Sequence, residues 1–221
     1  MIRGTDIAGL VGVILLTIAI ICYLIRPVTN LNWRRHIVCA TIPILIWKAS
    51  SLITILRGIT GDLSISSVLF LLLFLSNNLS IRHNLKIKDL SQPPHSSTLN
   101  YLILACGAIV LYPFALGVGH IDTYRLGFGN TYFLILLAYG TIIAYRNKLQ
   151  LVAWSILLAV ATWTIGWYES TNLWDYLLDP WISLYAIGIV IWASVKYMYH
   201  QCAYGLRFFR LIIHASPTCH R

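Results

Sequence analysis

Long apolar runs are the feature that most constrains how this chain can fold. Each run holds few or no charged side chains and is close to the length of about 20 residues that an α-helix needs to cross a bilayer. There are seven such runs: Ile7–Leu24, Ile37–Leu56, Leu63–Ser80, Leu99–Val118, Thr131–Tyr145, Leu149–Trp167 and Trp181–Tyr199. The sequence therefore predicts an all-α fold, a polytopic transmembrane bundle of about seven helices.

The overall composition supports a membrane setting. Hydrophobic residues make up 58% of the chain and charged residues only 10%, whereas soluble domains carry about 25% charged residues. The net charge of +9 is typical of cytoplasmic helix ends in a membrane protein. We therefore expect membrane lipids, and no nucleic acid, among the partners.

The distribution of Lys and Arg predicts the orientation. If the seven runs cross the membrane in turn, the connections on one side carry twelve Lys and Arg residues. The connections on the other side carry three, Arg3, Arg57 and Arg125, together with six of the seven carboxylates. Because cytoplasmic loops are enriched in cations, the N-terminus is predicted outside and the C-terminus in the cytoplasm.

The sequence predicts a transmembrane domain followed by a cytoplasmic tail. The transmembrane domain comprises residues 1–199 and is interrupted by a cytoplasmic linker at about 81–98 that is rich in Ser and Pro. Residues 200–221 form a cytoplasmic tail, in which two arginines lie between bulky apolar residues at 204–214. This pattern predicts an amphipathic tail helix at the inner interface. The strong charge bias and lack of soluble domains favour the inner membrane of a bacterium.

Lys48 is the sharpest single polar signal, because it falls near the middle of the second apolar run. An ammonium at that depth costs about 2.5–3.5 kcal/mol on insertion scales. Glu169 or Asp175, the carbonyl freed by Pro43, or an anionic ligand are alternative compensating groups. A structural lysine that snorkels to the interface, or a lysine that pairs with another subunit, are the other interpretations.

A glycine-rich stretch at 117–130 carries the second polar signal. His120 and Asp122 form an H-x-D pair, in which the carboxylate can orient an imidazole that acts as a base. Arg125 can hold a phosphate or carboxylate through two hydrogen bonds. The alternative is a hydrogen-bonded loop with an internal Asp122–Arg125 pair.

The segment from Trp163 to Trp181 joins the last two runs and contains Glu169, Asp175 and Asp179 among four tryptophans. Asp179 precedes Pro180, a sequence typical of a capped helix start. Glu169 and Asp175 are freer to serve a site. Trp174 and its neighbours suit either an interfacial aromatic belt or stacking on a sugar or quinone.

These residues suggest a site but not a reaction. The candidate catalytic residues are His120, Glu169 and Asp175, and the candidate binding residues are Lys48, Asp122, Arg125 and Trp174. The His and Cys residues of the tail match no trusted zinc spacing, so neither a metal nor a cofactor is predicted.

Three functional hypotheses remain open. The first is an integral membrane subunit or binding protein that acts with a protein partner, or as a homo-oligomer, in cell-envelope or lipid-linked metabolism. The second is a small integral-membrane enzyme that acts on a lipid-linked anionic substrate at the outer leaflet. The third is a transporter or channel with Lys48 in a charge relay.

Overall fold

A computed structural model describes residues 4–27, 30–47, 50–79, 94–120 and 122–215, and side chains within 9–27, 30–41, 54–79, 98–120 and 122–201. In these residues the fold is all-α, with no β-strand, as predicted. The α-helices are α1 (Gly4–Ile25), α2 (Leu31–Trp47), α3 (Ser50–Thr60), α4 (Ile65–Asn78), α5 (Pro94–Ala115), α6 (Thr131–Arg146), α7 (Gln150–Thr164), α8 (Leu173–Leu177) and α9 (Pro180–Ala215), and a 3-10 helix covers Tyr124–Gly127.

Two helices in the described part of the chain are long and apolar enough to cross a membrane, over Thr98–Ala115 and Pro180–Gln201. A third span results if the consecutive helices Thr54–Thr60 and Ile65–Asn78, which meet at an angle of 119°, are taken as one. The apolar helices Gly9–Ile25, Thr131–Arg146 and Gln150–Thr164 are shorter. At 1.5 Å per residue, the 16-residue α6 extends about 24 Å, less than the roughly 30 Å of a hydrocarbon core.

The second predicted run does not form one described helix. It is covered by α2, which ends at Trp47, and α3, which begins at Ser50. Lys48 lies between them, outside the described residues. Each of the other six apolar runs overlaps one helix, the last run being part of the longer α9. Pro113 lies inside α5, two residues before its end.

The helices pack around two main apolar clusters. The larger one joins α5, α7 and α9 to α8 and the loop before it, and its most deeply buried aromatic residue is Tyr176 in α8. The smaller one joins α1 and α2 to α4 through Val13, Val38 and Leu75. Helix α4 contacts both α1 and α7, so it connects the two halves of the bundle.

Interhelical hydrogen bonds group the connections into two ends. At one end, the Arg35 guanidinium donates to the Leu79 carbonyl over 2.9 Å. At the other end, the Trp181 indole donates to the Thr60 carbonyl over 3.0 Å. The first we call the arginine end, formed by residues 30–35 and 78–79, and the second the cap end.

The last helix continues well past the predicted end of the membrane domain. Helix α9 has 36 residues, which corresponds to about 54 Å at 1.5 Å per residue. The predicted tail at 204–214 is helical, and the helix runs without a break through residue 200, where the sequence suggested a boundary.

Candidate functional site

Two loop segments at the cap end form one hydrogen-bonded unit, which we call the cap: residues 122–130 and residues 165–179. The Trp174 indole donates to the Thr123 carbonyl over 2.9 Å, and the Asn172 amide donates to the Tyr124 carbonyl over 2.9 Å. Trp174 is buried, and its ring packs against Phe133 with centroids 4.6 Å apart. The predicted ligand-binding role of Trp174 stays a prediction, and the structure shows this side chain joining the two halves of the cap.

Gly127 is a point of close approach between the two segments. A Cβ atom at this position would lie 1.8 Å from Asn172 Oδ1 and 2.8 Å from the Trp174 ring. Real Cβ atoms do not approach other atoms so closely. Glycine is therefore required here by contact with the opposite segment rather than by its backbone angles.

Asp175 lies at the junction of the same segments. Its two carboxylate oxygens accept from the Tyr124 hydroxyl, at 3.1 and 2.9 Å, and one of them also accepts a short bond from Ser170 Oγ. Burial of the ring, followed by the bond to the Asp175 carboxylate, raises the pKa of Tyr124 to about 12. Asp175 thus holds the neutral tyrosine in place, and its predicted catalytic role stays a prediction.

Tyr176 is fully buried and organises the first part of the second segment. Its hydroxyl accepts from the Tyr168 amide over 3.0 Å and donates toward the carbonyls of Tyr168 and Ser170, at 3.2 and 3.1 Å. The Tyr168 and Tyr176 rings lie 5.0 Å apart. Burial, and then the charges of Asp62 and Asp179, raise the pKa of Tyr168.

Asp179 connects the cap to two helix starts. One oxygen accepts from the Ile182 amide over 2.9 Å, which confirms the predicted capping of α9. The other oxygen accepts from the Ser64 amide over 2.8 Å, immediately before α4. The side chain is buried, with 5% of its surface exposed, so a single carboxylate ties the first turns of two helices together.

The other predicted site residues that the structure describes lie on the surface of the cap or, for His120, just before it. His120, Arg125 and Glu169 are exposed. The exposed Asp122 carboxylate accepts from the amides of Tyr124 and Arg125, at 3.0 and 3.3 Å, and so caps the 3-10 helix. Within the described residues, the ion pair that the structure shows joins Arg57 and Asp62 over 2.7 Å. The structure does not bring His120 together with Glu169 or Arg125 through any hydrogen bond among these residues.

Asn172 is a cap residue that the sequence argument missed. Its Oδ1 atom accepts from the Trp174 amide over 2.9 Å and caps α8, while its amide group reaches the other segment. Asn directly before a short apolar run is a recognisable helix-start signal. The pairing with Tyr124, 48 residues away, has no such signal.

An apolar crevice of about 200 Å³ opens between α1, α4 and α9, beside the cap end. The residues that line it are apolar except for one serine: Leu16, Leu63, Ser67, Phe70, Leu71, Trp181, Ile182 and Tyr185. Trp181 and Tyr185 stand at its rim, since they are 48% and 46% exposed. Such a lining can bind an alkyl or isoprenoid chain, because it offers apolar contact and little hydrogen bonding.

The described side chains contain no group of three His, Cys, Asp or Glu residues placed to hold a metal ion. The enzyme and transporter hypotheses stay predictions, the latter because Lys48 lies outside the described residues. No family model, no curated protein and no solved structure matches this chain.

Proposed function

We propose that the protein is an integral membrane subunit or binding protein that holds the apolar chain of a lipid or lipid-linked molecule for a membrane partner in cell-envelope metabolism. The single observation that carries this proposal is the crevice between α1, α4 and α9. The cap supports it, because Asp179 bonds the starts of α4 and α9, two of the helices that line the crevice.

The size of the crevice favours part of a chain over a whole compact ligand. Its volume of about 200 Å³ is below the roughly 300–1,000 Å³ of pockets that enclose drug-sized molecules. Part of an alkyl or isoprenoid chain can enter such a crevice while the rest of that molecule stays in the surrounding lipid. The aromatic rim of Trp181 and Tyr185 suits that arrangement, since both rings contact the crevice and are also exposed.

The crevice is preformed at its cap end. The Trp181 indole is bonded to Thr60, and Asp179 bonds the first turns of α4 and α9 together. These bonds set the separation of two of the three helices that line the crevice. A chain that binds there orders little of the protein, which lowers the cost of binding.

We further propose the seven-span arrangement in a bacterial inner membrane, with the N-terminus outside and the C-terminus in the cytoplasm. The pattern of interhelical bonds supports this proposal. Arg35 and Leu79 are bonded and belong to connections with the same predicted side. Thr60 and Trp181, and likewise Tyr124 and Asp175, belong to connections on the opposite predicted side.

Filling the crevice provides the test. Leu71→Trp adds a ring inside it, whereas Leu72→Trp adds the same ring at the next position of α4, which is 46% exposed and outside the lining. Native mass spectrometry of protein extracted gently from its own membrane measures the lipid retained by each variant. We expect Leu71→Trp to lose a lipid adduct that the wild type and Leu72→Trp keep.

Thermal unfolding of both variants in the same detergent controls for damage to the fold. Equal retention in a folded Leu71→Trp protein contradicts the proposed binding site. The same spectra test for the proposed membrane partner. A protein companion bound in stoichiometric amount supports the proposal, and the absence of such a companion contradicts the part of the proposal that requires a partner.

A further inference from the structure

The arginine end of the bundle contains two consecutive arginines directed at the end of another helix. Arg35 Nε donates to the Leu79 carbonyl over 2.9 Å, and Arg34 Nη1 lies 3.5 Å from the Asn78 carbonyl. Both carbonyls belong to the C-terminal end of α4. A cation at that position is stabilised by the helix dipole and satisfies carbonyls that have no partner within the helix.

The two guanidinium groups are satisfied to different degrees. Arg35 is committed to a bond of ordinary length, whereas the contact of Arg34 lies at the distance limit of a hydrogen bond. Among the described residues, Arg34 Nε is buried and has no hydrogen-bond partner. A half-buried guanidinium with such weak pairing is left with an excess of donors and of positive charge.

The charge around Arg34 is positive throughout the described part of this end. Arg26, at the end of α1, is exposed, and Arg35 is adjacent in sequence. The described carboxylate side chains, on Asp62, Asp122, Glu169, Asp175 and Asp179, all belong to the cap or to the turn before α4, at the opposite end. An anion at Arg34 therefore meets no described negative side chain.

An exposed indole completes the surroundings. Helix α2 begins at Leu31, three residues before Arg34, and Asn30 caps its start: Asn30 Oδ1 accepts from the Trp33 amide over 3.1 Å, and the Asn30 carbonyl accepts from the Arg34 amide over 3.1 Å. The Trp33 side chain is 63% exposed. An exposed tryptophan beside cations at a helix end is typical of the level of lipid headgroups.

We propose that Arg34 binds the phosphate of an anionic phospholipid. Arg34 supplies donors to the phosphate oxygens, and Trp33 contacts the glycerol and upper acyl region. This site lies at the opposite end from the crevice, so it does not depend on lipid binding there, but it rests on the membrane arrangement proposed above. A lipid headgroup is favoured over an acidic protein segment because the site adjoins the ends of membrane-inserted helices and carries an interfacial ring.

The test compares charge-removing variants in nanodiscs made of equal parts phosphatidylcholine and phosphatidylglycerol. Native mass spectrometry measures the ratio of phosphatidylglycerol to phosphatidylcholine that remains bound after release. Arg34→Gln is expected to lower that ratio about tenfold, because charge-assisted hydrogen bonds to the phosphate are lost. Arg146→Gln, which removes an exposed cation at the end of α6, is the matched control; it removes only the general attraction of one cation to an anionic surface and is expected to lower the ratio less, about fivefold at most.

A second variant separates lipid binding by Arg34 from the structural role of Arg35, and a phosphate control distinguishes a lipid headgroup from free phosphate. Arg35→Gln is expected to lower the midpoint of thermal unfolding, because it removes the bond to Leu79, while it keeps more of the lipid preference than Arg34→Gln. Inorganic phosphate in detergent is expected to leave the wild-type midpoint unchanged. An equal loss in Arg34→Gln and Arg146→Gln, an unchanged lipid ratio in Arg34→Gln, or stabilisation by inorganic phosphate alone each overturns the proposal.

Discussion

Removing the Asp179 carboxylate is the most informative single change in the fold. This buried side chain accepts from the Ile182 amide at 2.9 Å and from the Ser64 amide at 2.8 Å. Asp179→Ala removes both acceptors at once. It leaves α9 without its N-cap and leaves the Ser64 amide buried at the start of α4 without this partner.

The size of the effect follows from those two losses. Replacing an N-cap by alanine costs about 0.5–2 kcal/mol, and leaving a buried amide without a partner costs about 1–3 kcal/mol. Since the two amides lie at the starts of different helices, the losses add, to about 1.5–5 kcal/mol. For a protein of this length, that free energy corresponds to a fall of roughly 3–20 °C in the unfolding midpoint.

Two further variants separate the effect of burial from the effect of losing a carboxylate. Asp179→Asn keeps one acceptor oxygen but places an NH₂ donor opposite the second amide, so we expect an intermediate loss. Asp122→Ala removes a carboxylate that also accepts from two amides, at 3.0 and 3.3 Å, but is exposed and acts within its own loop. Because water can satisfy those amides, we expect a loss of about 0.5–1 kcal/mol.

The assay is thermal unfolding of the purified protein in one detergent, followed by circular dichroism or by tryptophan fluorescence. The expected order of midpoints is wild type, Asp122→Ala, Asp179→Asn and then Asp179→Ala. Equal midpoints for Asp122→Ala and Asp179→Ala would refute the argument that one buried carboxylate bridges α4 and α9.

Three other predictions test the cap and the topology. Gly127→Ala is expected to lower the unfolding midpoint strongly, because the added Cβ atom meets Asn172 and Trp174. Gly140→Ala is the control: nothing lies within 4 Å of its Cβ position, so the midpoint should stay unchanged or rise. Similar midpoints for the two variants would contradict the close approach at Gly127. The pKa of Tyr124 is raised from 10.0 to about 12 in the fold, so its neutral form contributes stability that is complete below pH 10 and lost as pH rises toward 12. When the free energy of unfolding is measured against pH, the excess stability of wild type over Tyr124→Phe should therefore shrink between pH 10 and 12. An excess that stays constant would exclude the Tyr124–Asp175 bond as its source. For the proposed orientation, Cys219 should resist an impermeant thiol reagent in intact cells and react after the membrane is opened, and ready labelling in intact cells would reverse the orientation.

Local signals in the sequence were sufficient for much of the helical structure. The apolar runs predict helices because membrane-crossing and buried helices share a long run of apolar side chains, and six of the seven runs each overlap one helix. Asp179 before Pro180 predicted a helix start, and the bond to the Ile182 amide confirms it. A cap of this kind depends on residues only three positions apart.

Contacts between distant parts of the chain were decided only by the tertiary structure. The second oxygen of Asp179 is bonded to an amide 115 residues away, and Arg35 is bonded to a carbonyl 44 residues away. The sequence predicts Trp174 and Asp175 as site residues, because it shows the type of each side chain but not the groups that it contacts. In the fold both side chains are hydrogen-bonded to loop 122–130 and join the two halves of the cap.

The sequence by itself thus determined where most of the long helices lie and which connections are rich in cations, since both depend on neighbouring residues and on overall polarity. The tertiary structure decided which polar groups are occupied in holding helices together and where an apolar crevice remains, between α1, α4 and α9. Hydrogen bonds and crevices arise where separate helices meet, and the geometry of that meeting depends on the packing of the whole bundle rather than on any one segment.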